Sequence, residues 1–324
     1  MIETEQHTDR RPGTILLAGP TASGKSATAI AIAEEFGGVI INADSMQIYD
    51  GLRVLTARPD ETEEARVPHR LYGTLDPSVR CTAAHWRDLA LAEIAKVQAE
   101  GKLPVVVGGT GLYFDILTKG IAEIPSIGEE LRARLRHQQE VEGTAAIHER
   151  LSELDPDMAA RLKPGDTQRL LRALEVIEET GVSLLHWQRK APAGPILEGP
   201  RLWLALMPER QWLYDRCNRR LDWMVTDGGA LEEVRGLMDR HLDPTLPAMK
   251  ALGVPELIEV LDGTLKLEEA LDRIKMLTRR YAKRQMTWVR NKMCEANSSS
   301  AQDLESLKAE FFPFIRRFLL TQGN

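Results

Sequence analysis

The stretch GPTASGKS runs Gly19, Pro20, Thr21, Ala22, Ser23, Gly24, Lys25, Ser26 and fits the spacing G-x-x-x-x-G-K-[ST]. Glycine at both ends lets backbone N–H groups turn inward without a side-chain clash. Those donors, with the N-terminus of a following helix, form a nest for anionic oxygens, and Lys25 adds a mobile charge. Ser26 is placed to ligate a Mg²⁺ that bridges phosphate oxygens. Loops of this kind usually hold ATP, but the spacing itself demands only a diphosphate.

Three further residue patterns narrow the chemistry. The stretch NKMC at 291–294 lacks the aspartate of a guanine-reading N-K-x-D, and VVVGGTGLY ends in glycines where a second metal-binding strand would end in aspartate. The apolar stretch VIINADSMQIY instead reads as a strand that ends on Asp44, directly after the loop's helix. A carboxylate there can ligate Mg²⁺ or receive an acceptor substrate. The nucleotide-hydrolase reading weakens and the acceptor-binding one gains.

A phosphate loop works only between a strand and a helix, and the flanking residues supply both. TILLAGP (14–20) reads as a buried strand, and SATAIAIAEEFG as a helix stopped by Gly37. VIINADS (39–45), LPVVVGGTGLY (103–113) and RLWLALMP (201–208) are further strand candidates. The first two are continuous apolar runs, the mark of parallel strands covered on both faces. Between Gly120 and Gly199 the strand signal disappears into helix patterns joined through DPDMAARLKPGD, and beyond Met207 the chain reads as mostly helical, with NSSSAQD (297–303) a short polar break. The expected fold is α/β: a P-loop parallel-sheet core with a mostly helical insertion and a helical C-terminal region. The boundaries expected are 1–122 for the first part of the core, 123–199 for the insertion and 200–324 for the rest.

Composition excludes several classes. The 324 residues are 43% hydrophobic and 28% charged, with 48 acidic and 42 basic side chains and a net charge of −6, which argues against a uniformly basic wrapper of nucleic acid. Cys81, Cys217 and Cys294 are far apart, so neither a disulfide framework nor a zinc site is expected. MIETEQHTDRRPG is polar and acidic before it is basic, unlike a signal peptide, and no apolar run reaches membrane-spanning length. A cytoplasmic monomer is expected, with no membrane partner, and the sequon at Asn297 is without consequence.

Local charge is another matter. The segment 273–292 carries Arg273, Lys275, Arg279, Arg280, Lys283, Arg284, Arg290 and Lys292 without one acid. Wound as a helix, Ile274, Leu277, Tyr281 and Trp288 share one side and all the bases but Lys292 the other. The pattern describes either a solvated helix or a core-docked helix whose cationic face suits a phosphate backbone. Gln285 falls among the apolar positions and must be buried with a partner. His69 is assigned no role, and the aromatic tail FFPFIRRFLL has a face to dock.

The blocks GPTASGKS, INADSMQIYDGLRVLTARP, PHRLYG, AAHWRDLA, GKLPVVVGGTGLYF, LDPDMAARLKPGDTQRLLRALEV, RQWLYDRCNRRLDWM, MKALGVPEL and YAKRQMTWVRN, in that order from about residue 14 to 292, resemble the bacterial tRNA dimethylallyltransferases. The resemblance implies a loop that grips a leaving group: transfer of the dimethylallyl group of dimethylallyl diphosphate to the exocyclic amine of the adenosine 3′ of the anticodon in tRNA. Mg²⁺ is the cofactor implied. Asp44 would accept the amine hydrogen and serve as base, and Thr110 and Arg220 would stand beside the diphosphate. Taken alone, Thr110 reads as a turn hydroxyl, and Arg220 as one surface charge among Arg216 and Arg219. The resemblance further sets Asp44, Ser45, Met46, Gln47, Thr110, Arg132, Gln168, Arg169, Leu170, Leu171 and Arg172 against the tRNA, and we add Lys283 and Arg284 from the basic segment. An adenylate isopentenyltransferase acting on free AMP, ADP or ATP, and a P-loop small-molecule kinase, are the alternatives.

Overall fold

The structure, a computed structural model, describes residues 12–122, 124–190, 194 and 196–322. The polar opening segment, residues 1–11, lies outside them. The chain divides into one compact unit made of residues up to Thr118 and from Leu197 onward, and a second of Lys119–Ile196.

The first unit is built on six parallel strands: β1 (Thr14–Ala18), β2 (Gly38–Asn42), β3 (His69–Arg70), β4 (Leu103–Gly108), β5 (Arg201–Leu206) and β6 (Asn297–Ser299), in the order β3-β2-β4-β1-β5-β6. β1 lies between β4 and β5, with Leu16 opposite both Val106 and Trp203. Parallel strands need crossovers, and the early ones are α1 (Lys25–Phe36), α2 (Glu61–Arg66) and α3 (Ala83–Ala99), followed by α4 (Gly111–Lys119).

The continuous apolar runs follow from burial on both faces. Ile15 and Leu17 of β1 point with Ile40, Val105 and Val107 into one layer, while Leu16 and Ala18 point with Val39, Ile41 and Val106 into the other. The first layer is closed by α1 and by α13 (Leu304–Gln322), whose Leu307, Phe311, Phe312 and Ile315 are buried; Phe312 meets Phe36 edge to face at 5.1 Å. The aromatic tail thus docks on the core. The second layer holds Trp86 of α3, stacked on Tyr113 at 4.0 Å, and receives α9 (Arg210–Thr226), α10 (Ala230–Met238), α11 (Val254–Leu261) and α12 (Leu267–Lys292).

The second unit comprises α5 (Glu129–Leu154), α6 (Pro156–Ala159), α7 (Thr167–Thr180) and α8 (Leu184–Arg189) around its own core of Leu135, Ile147, Leu151, Leu170 and Leu174.

Two sequence expectations are corrected. Residues 297–299 are not a break: their backbone pairs Asn297, Ser298 and Ser299 with Leu204, Ala205 and Leu206 as an edge strand. β2 ends at Asn42, two residues before Asp44. The reason is Asn42, fully buried. Its Nδ2 donates to the carbonyls of Asp44 and Leu71, both at 3.0 Å, and its Oδ1 accepts from Asp44 N–H at 2.8 Å. One side chain takes over the backbone groups released by the strand and fixes the turn carrying Asp44. Replacing Asn42→Leu leaves those groups unpaired in the core, and we expect a loss of about 2–4 kcal/mol in urea unfolding; a loss below about 1 kcal/mol would mean that the turn is held otherwise.

Candidate active site

The phosphate loop links β1 to α1. Gly24 stands before the helix at φ 97°, a conformation L side chains rarely adopt, and this frees the first-turn amides. Lys25 folds back over the loop, its Nζ donating to Pro20 O at 2.6 Å. Ser23 Oγ is buried without a hydrogen-bond partner, a donor that an incoming phosphate oxygen would satisfy. Thr21 is the loop's junction with the C-terminal helices: its hydroxyl accepts from Arg220 Nη2 on α9, and its N–H donates to Gln285 Oε1 on α12 at 2.8 Å.

Two cavities open around this loop. One, of about 420 Å³, is lined by Thr21 to Ala27 together with Arg53, Arg58, Arg216 and Arg220. The other, of about 380 Å³, is lined by Ser45, Met46, Leu55, Lys250, Glu256, Ile274, Leu277, Tyr281 and Arg284. Thr21, Asp44, Thr56, Arg220 and Met224 belong to both walls. A chamber rich in cations and closed by the phosphate loop therefore meets a more apolar one at a single shared carboxylate.

Asp44 is held for that place. Its Oδ1 accepts from Met46 N–H at 2.9 Å, which closes the turn, while no hydrogen bond occupies Oδ2 among the described residues. Thr110 sits across the same turn: its N–H donates to Ala43 O at 3.3 Å, and its Oγ1 accepts from Ser45 N–H at 3.1 Å. It bonds a backbone 65 residues away, not its own. Gln47 directs its amide N–H groups at the carbonyls of Thr56 and Ala57, both at 2.9 Å. It lines the first cavity while bracing that cavity's wall.

The second unit presents α7 with Gln168 and Arg169 exposed and Arg172 half-buried. Arg172 and Arg132 share Glu175, at 3.2 and 4.0 Å. Leu170, expected against tRNA, is fully buried in the helical core, because position 170 faces inward with Leu174; half-buried Leu171 also packs there. On α12 the outer face is narrower than the sequence implied. Lys275 pairs with Asp222 at 2.5 Å and Arg279 bonds Asn218 at 2.9 Å, both on α9, and Arg273 pairs with Glu259. Arg280, Lys283, Arg284 and Arg290 remain exposed.

Residues 47–292 match the family described as IPP transferase. The chain belongs to the IPP transferase family. It is similar to the tRNA dimethylallyltransferase of Rhodospirillum centenum, with 54% identity over 87% of this chain and 90% of that one. It is also similar to the tRNA dimethylallyltransferase of Parvibaculum lavamentivorans, with 49% identity over 95% and 98%. Among solved structures it is similar to the full-length tRNA isopentenylpyrophosphate transferase of Bacillus halodurans (34% identity, 97% and 98% coverage, TM-score 0.68). A eukaryotic dimethylallyltransferase caught acting on tRNA matches at 26% identity, 94% and 77% coverage and TM-score 0.76.

Within this family member the sequence reading missed Tyr281, counted there only as an apolar face residue. Its hydroxyl lies beside Thr110 and Gln285, and burial, with Asp44 nearby, pushes its phenol well above the usual range. Nothing in the chain marks that hydroxyl, since Thr110 and Asp44, which it meets, lie far from it in sequence. Glu256, with Oε2 buried and unpaired, and Lys250 also escaped notice in the cavity wall. Glu233 on α10 is a further strut: its carboxylate accepts from the amides of Arg53, Val54 and Leu55, which fixes the loop lining both cavities.

Burial lowers Lys25 from its ordinary 10.5 to about 8, and Arg220 pushes in the same direction while Asp44 opposes. Because the folded value lies below the unfolded one, the ammonium costs stability at every pH below about 8. That cost fades as pH rises from about 8 toward 10.5. Anion binding runs the other way, since only the charged form attracts diphosphate. Calorimetric titration with inorganic diphosphate should show, beyond the ligand's own protonation, proton uptake near pH 8 and an affinity that falls above it, and Lys25→Arg should remove that added part. A pH-independent affinity across that range would exclude Lys25 from the cradle.

Proposed function

We propose that this protein is a tRNA dimethylallyltransferase: it moves the dimethylallyl group of dimethylallyl diphosphate to the N6 amine of the adenosine immediately 3′ of the anticodon and releases diphosphate. The observation that carries the reading is the position of Asp44, in the wall common to a cationic phosphate chamber and an apolar one. Its relatives' activity supplies the substrates.

An adenine amine is a weak nucleophile because its lone pair is delocalised into the ring. Asp44 Oδ2 accepts the amine hydrogen, which turns the lone pair toward the donor carbon. The carboxylate takes the proton as the N6–C1 bond forms. The C1–O bond breaks with its electron pair leaving on diphosphate. Lys25, Arg220 and the loop amides face the charge that develops on those oxygens, and they are fixed before the substrate arrives. The apolar wall of Leu55, Leu221, Met224, Ile274 and Leu277 surrounds a carbon that becomes allylic-cationic and keeps water from it.

The donor set fits Mg²⁺: Ser26 offers a hard hydroxyl oxygen on the phosphate chamber, and diphosphate and water are hard ligands as well. Among the described residues no three His, Cys, Asp or Glu side chains group to hold a metal; Ser26 would hold Mg²⁺ together with oxygens of the substrate. When bound, Mg²⁺ supplies further positive charge against the leaving group.

The target base must leave its stack to reach Asp44, which is least costly in a single-stranded loop. Gln168, Arg169 and Arg172 on the insertion, and Lys283 and Arg284 on α12, are the polar groups we assign to tRNA. No helix among the described residues is long and apolar enough to cross a membrane. We assign the protein to the cytoplasm as a monomer, in keeping with a tRNA substrate.

Incubation with labelled dimethylallyl diphosphate, Mg²⁺ and unmodified tRNA should place label in tRNA, at the adenosine after the anticodon. Label only in free adenylate would make it an adenylate isopentenyltransferase, and phosphoryl transfer from ATP to a small alcohol would make it a kinase. Asp44→Ala should lower turnover by ~10²–10⁴-fold with donor affinity retained. Neutralising Lys283 or Arg284 should weaken tRNA binding. It should also flatten the slope of log affinity against log salt by about 1 for each phosphate that the variant no longer neutralises. An unchanged slope would remove α12 from the interface.

A further inference from the structure

We infer that Gln285 is a positioning residue that sets the distance between the diphosphate cradle and the acceptor carboxylate; this rests on the prenyl-transfer reading above. Gln285 is 5% exposed, on the inward side of α12. Its Oε1 takes the N–H of Thr21 in the phosphate loop at 2.8 Å, and its Nε2 donates to the carbonyl of Gly109 at 3.0 Å. These two partners lie on different segments of the site, the phosphate loop and the turn after β4. Thr21 is bonded to Arg220 and stands with the leaving group. Gly109 is joined by one peptide to Thr110, whose hydroxyl and N–H hold Ser45 and Ala43 on either side of Asp44.

A single planar amide therefore spans from the cradle to the acceptor turn. The approach is close: a Cβ on Gly109 would lie 2.0 Å from Nε2, so that position tolerates no side chain while the bridge exists. Tyr281, one helical turn earlier, packs beside the same junction. The amide also removes Thr21 N–H from the set of loop donors, so Gln285 acts on the phosphate through geometry and not through contact. The bridge needs one acceptor and one donor at fixed spacing, which glutamine supplies and neither methionine nor ionised glutamate does.

The test compares Gln285→Met, similar in length but unable to bridge, with Gln285→Glu, which keeps the acceptor for Thr21 and can donate to Gly109 only when protonated. In single turnover with tRNA and dimethylallyl diphosphate, Gln285→Met should transfer about 10²-fold more slowly, as a small misplacement of reacting groups does. Its affinity for inorganic diphosphate, measured by calorimetry, should be little changed. Gln285→Glu should regain rate as the pH falls through the titration of its buried carboxyl, a rise that the parent protein lacks. The inference is overturned by a Gln285→Met rate equal to the parent's. It is equally overturned by parallel loss of rate, diphosphate affinity and melting temperature, or by a Gln285→Glu that tracks Gln285→Met at every pH. A parent protein that binds diphosphate but never alkylates tRNA fails at the prenyl-transfer reading itself, before any variant is compared.

Discussion

Two partly buried cations beside one another constrain everything else in this protein. Lys25 and Arg220 face the same chamber, each lowered in pKa chiefly by burial, with Asp44 the carboxylate acting on both. An arrangement of that kind is incomplete without an anion. The folded chain accepts the desolvation penalty so that no reorganisation is needed when charge appears on a leaving group. The sheet makes that penalty tolerable: β1 and β4 are sealed on both faces and supply a rigid floor from which loop and glycine turn project.

Rigidity at that floor comes from committing polar side chains to backbone groups. Asn42 anchors the Asp44 turn, Gln47 the turn at Thr56 and Ala57, Glu233 three successive amides, and Gln285 the loop and Gly109. Each is at least half-buried, and each ties together separate segments of chain. A buried amide or carboxylate with all its bonds made defines one geometry, whereas an apolar contact tolerates sliding. The chemistry requires an amine, a carbon and a diphosphate in line, and such bridges suit that demand better than packing does.

How much of this could be read from the residues follows from the range of the interactions. The strands were legible because a parallel sheet buried on both sides has no choice but continuous apolar runs. The phosphate loop was legible because its glycines and lysine are adjacent. β6 was not, since Asn297–Ser299 is short, polar and paired along one edge only. Asp44 seemed to end its strand because Ala43 prolongs the apolar pattern, while the true terminator was the polar Asn42 inside it. Among Arg216, Arg219 and Arg220 nothing local separates a surface charge from a site residue; the loop reached by the third decides it. Gln285 was legible as a buried amide from helical periodicity, but its partners, 264 and 176 residues away, were not. Leu170 shows the converse. The resemblance points to its segment as a contact surface, while the helix turns this one side chain into the core.

Charge is distributed on the same principle. The chain is net acidic at −6, so its average field opposes a polyanion, and attraction must be local. On α12 three of the basic residues are engaged by Asp222, Asn218 and Glu259, which leaves Arg280, Lys283, Arg284 and Arg290 as an exposed set. Arg284 also lies over the Tyr281 ring at 5.6 Å and lines the cavity that Asp44 closes. The outward charges on this helix and the inward amide of Gln285 are thus carried by neighbouring positions of a single rigid element. A polyanion docked on this outer face would lie beside the cavity that Asp44 and Arg284 line, and repulsion from the net acidic surface elsewhere would disfavour other sites.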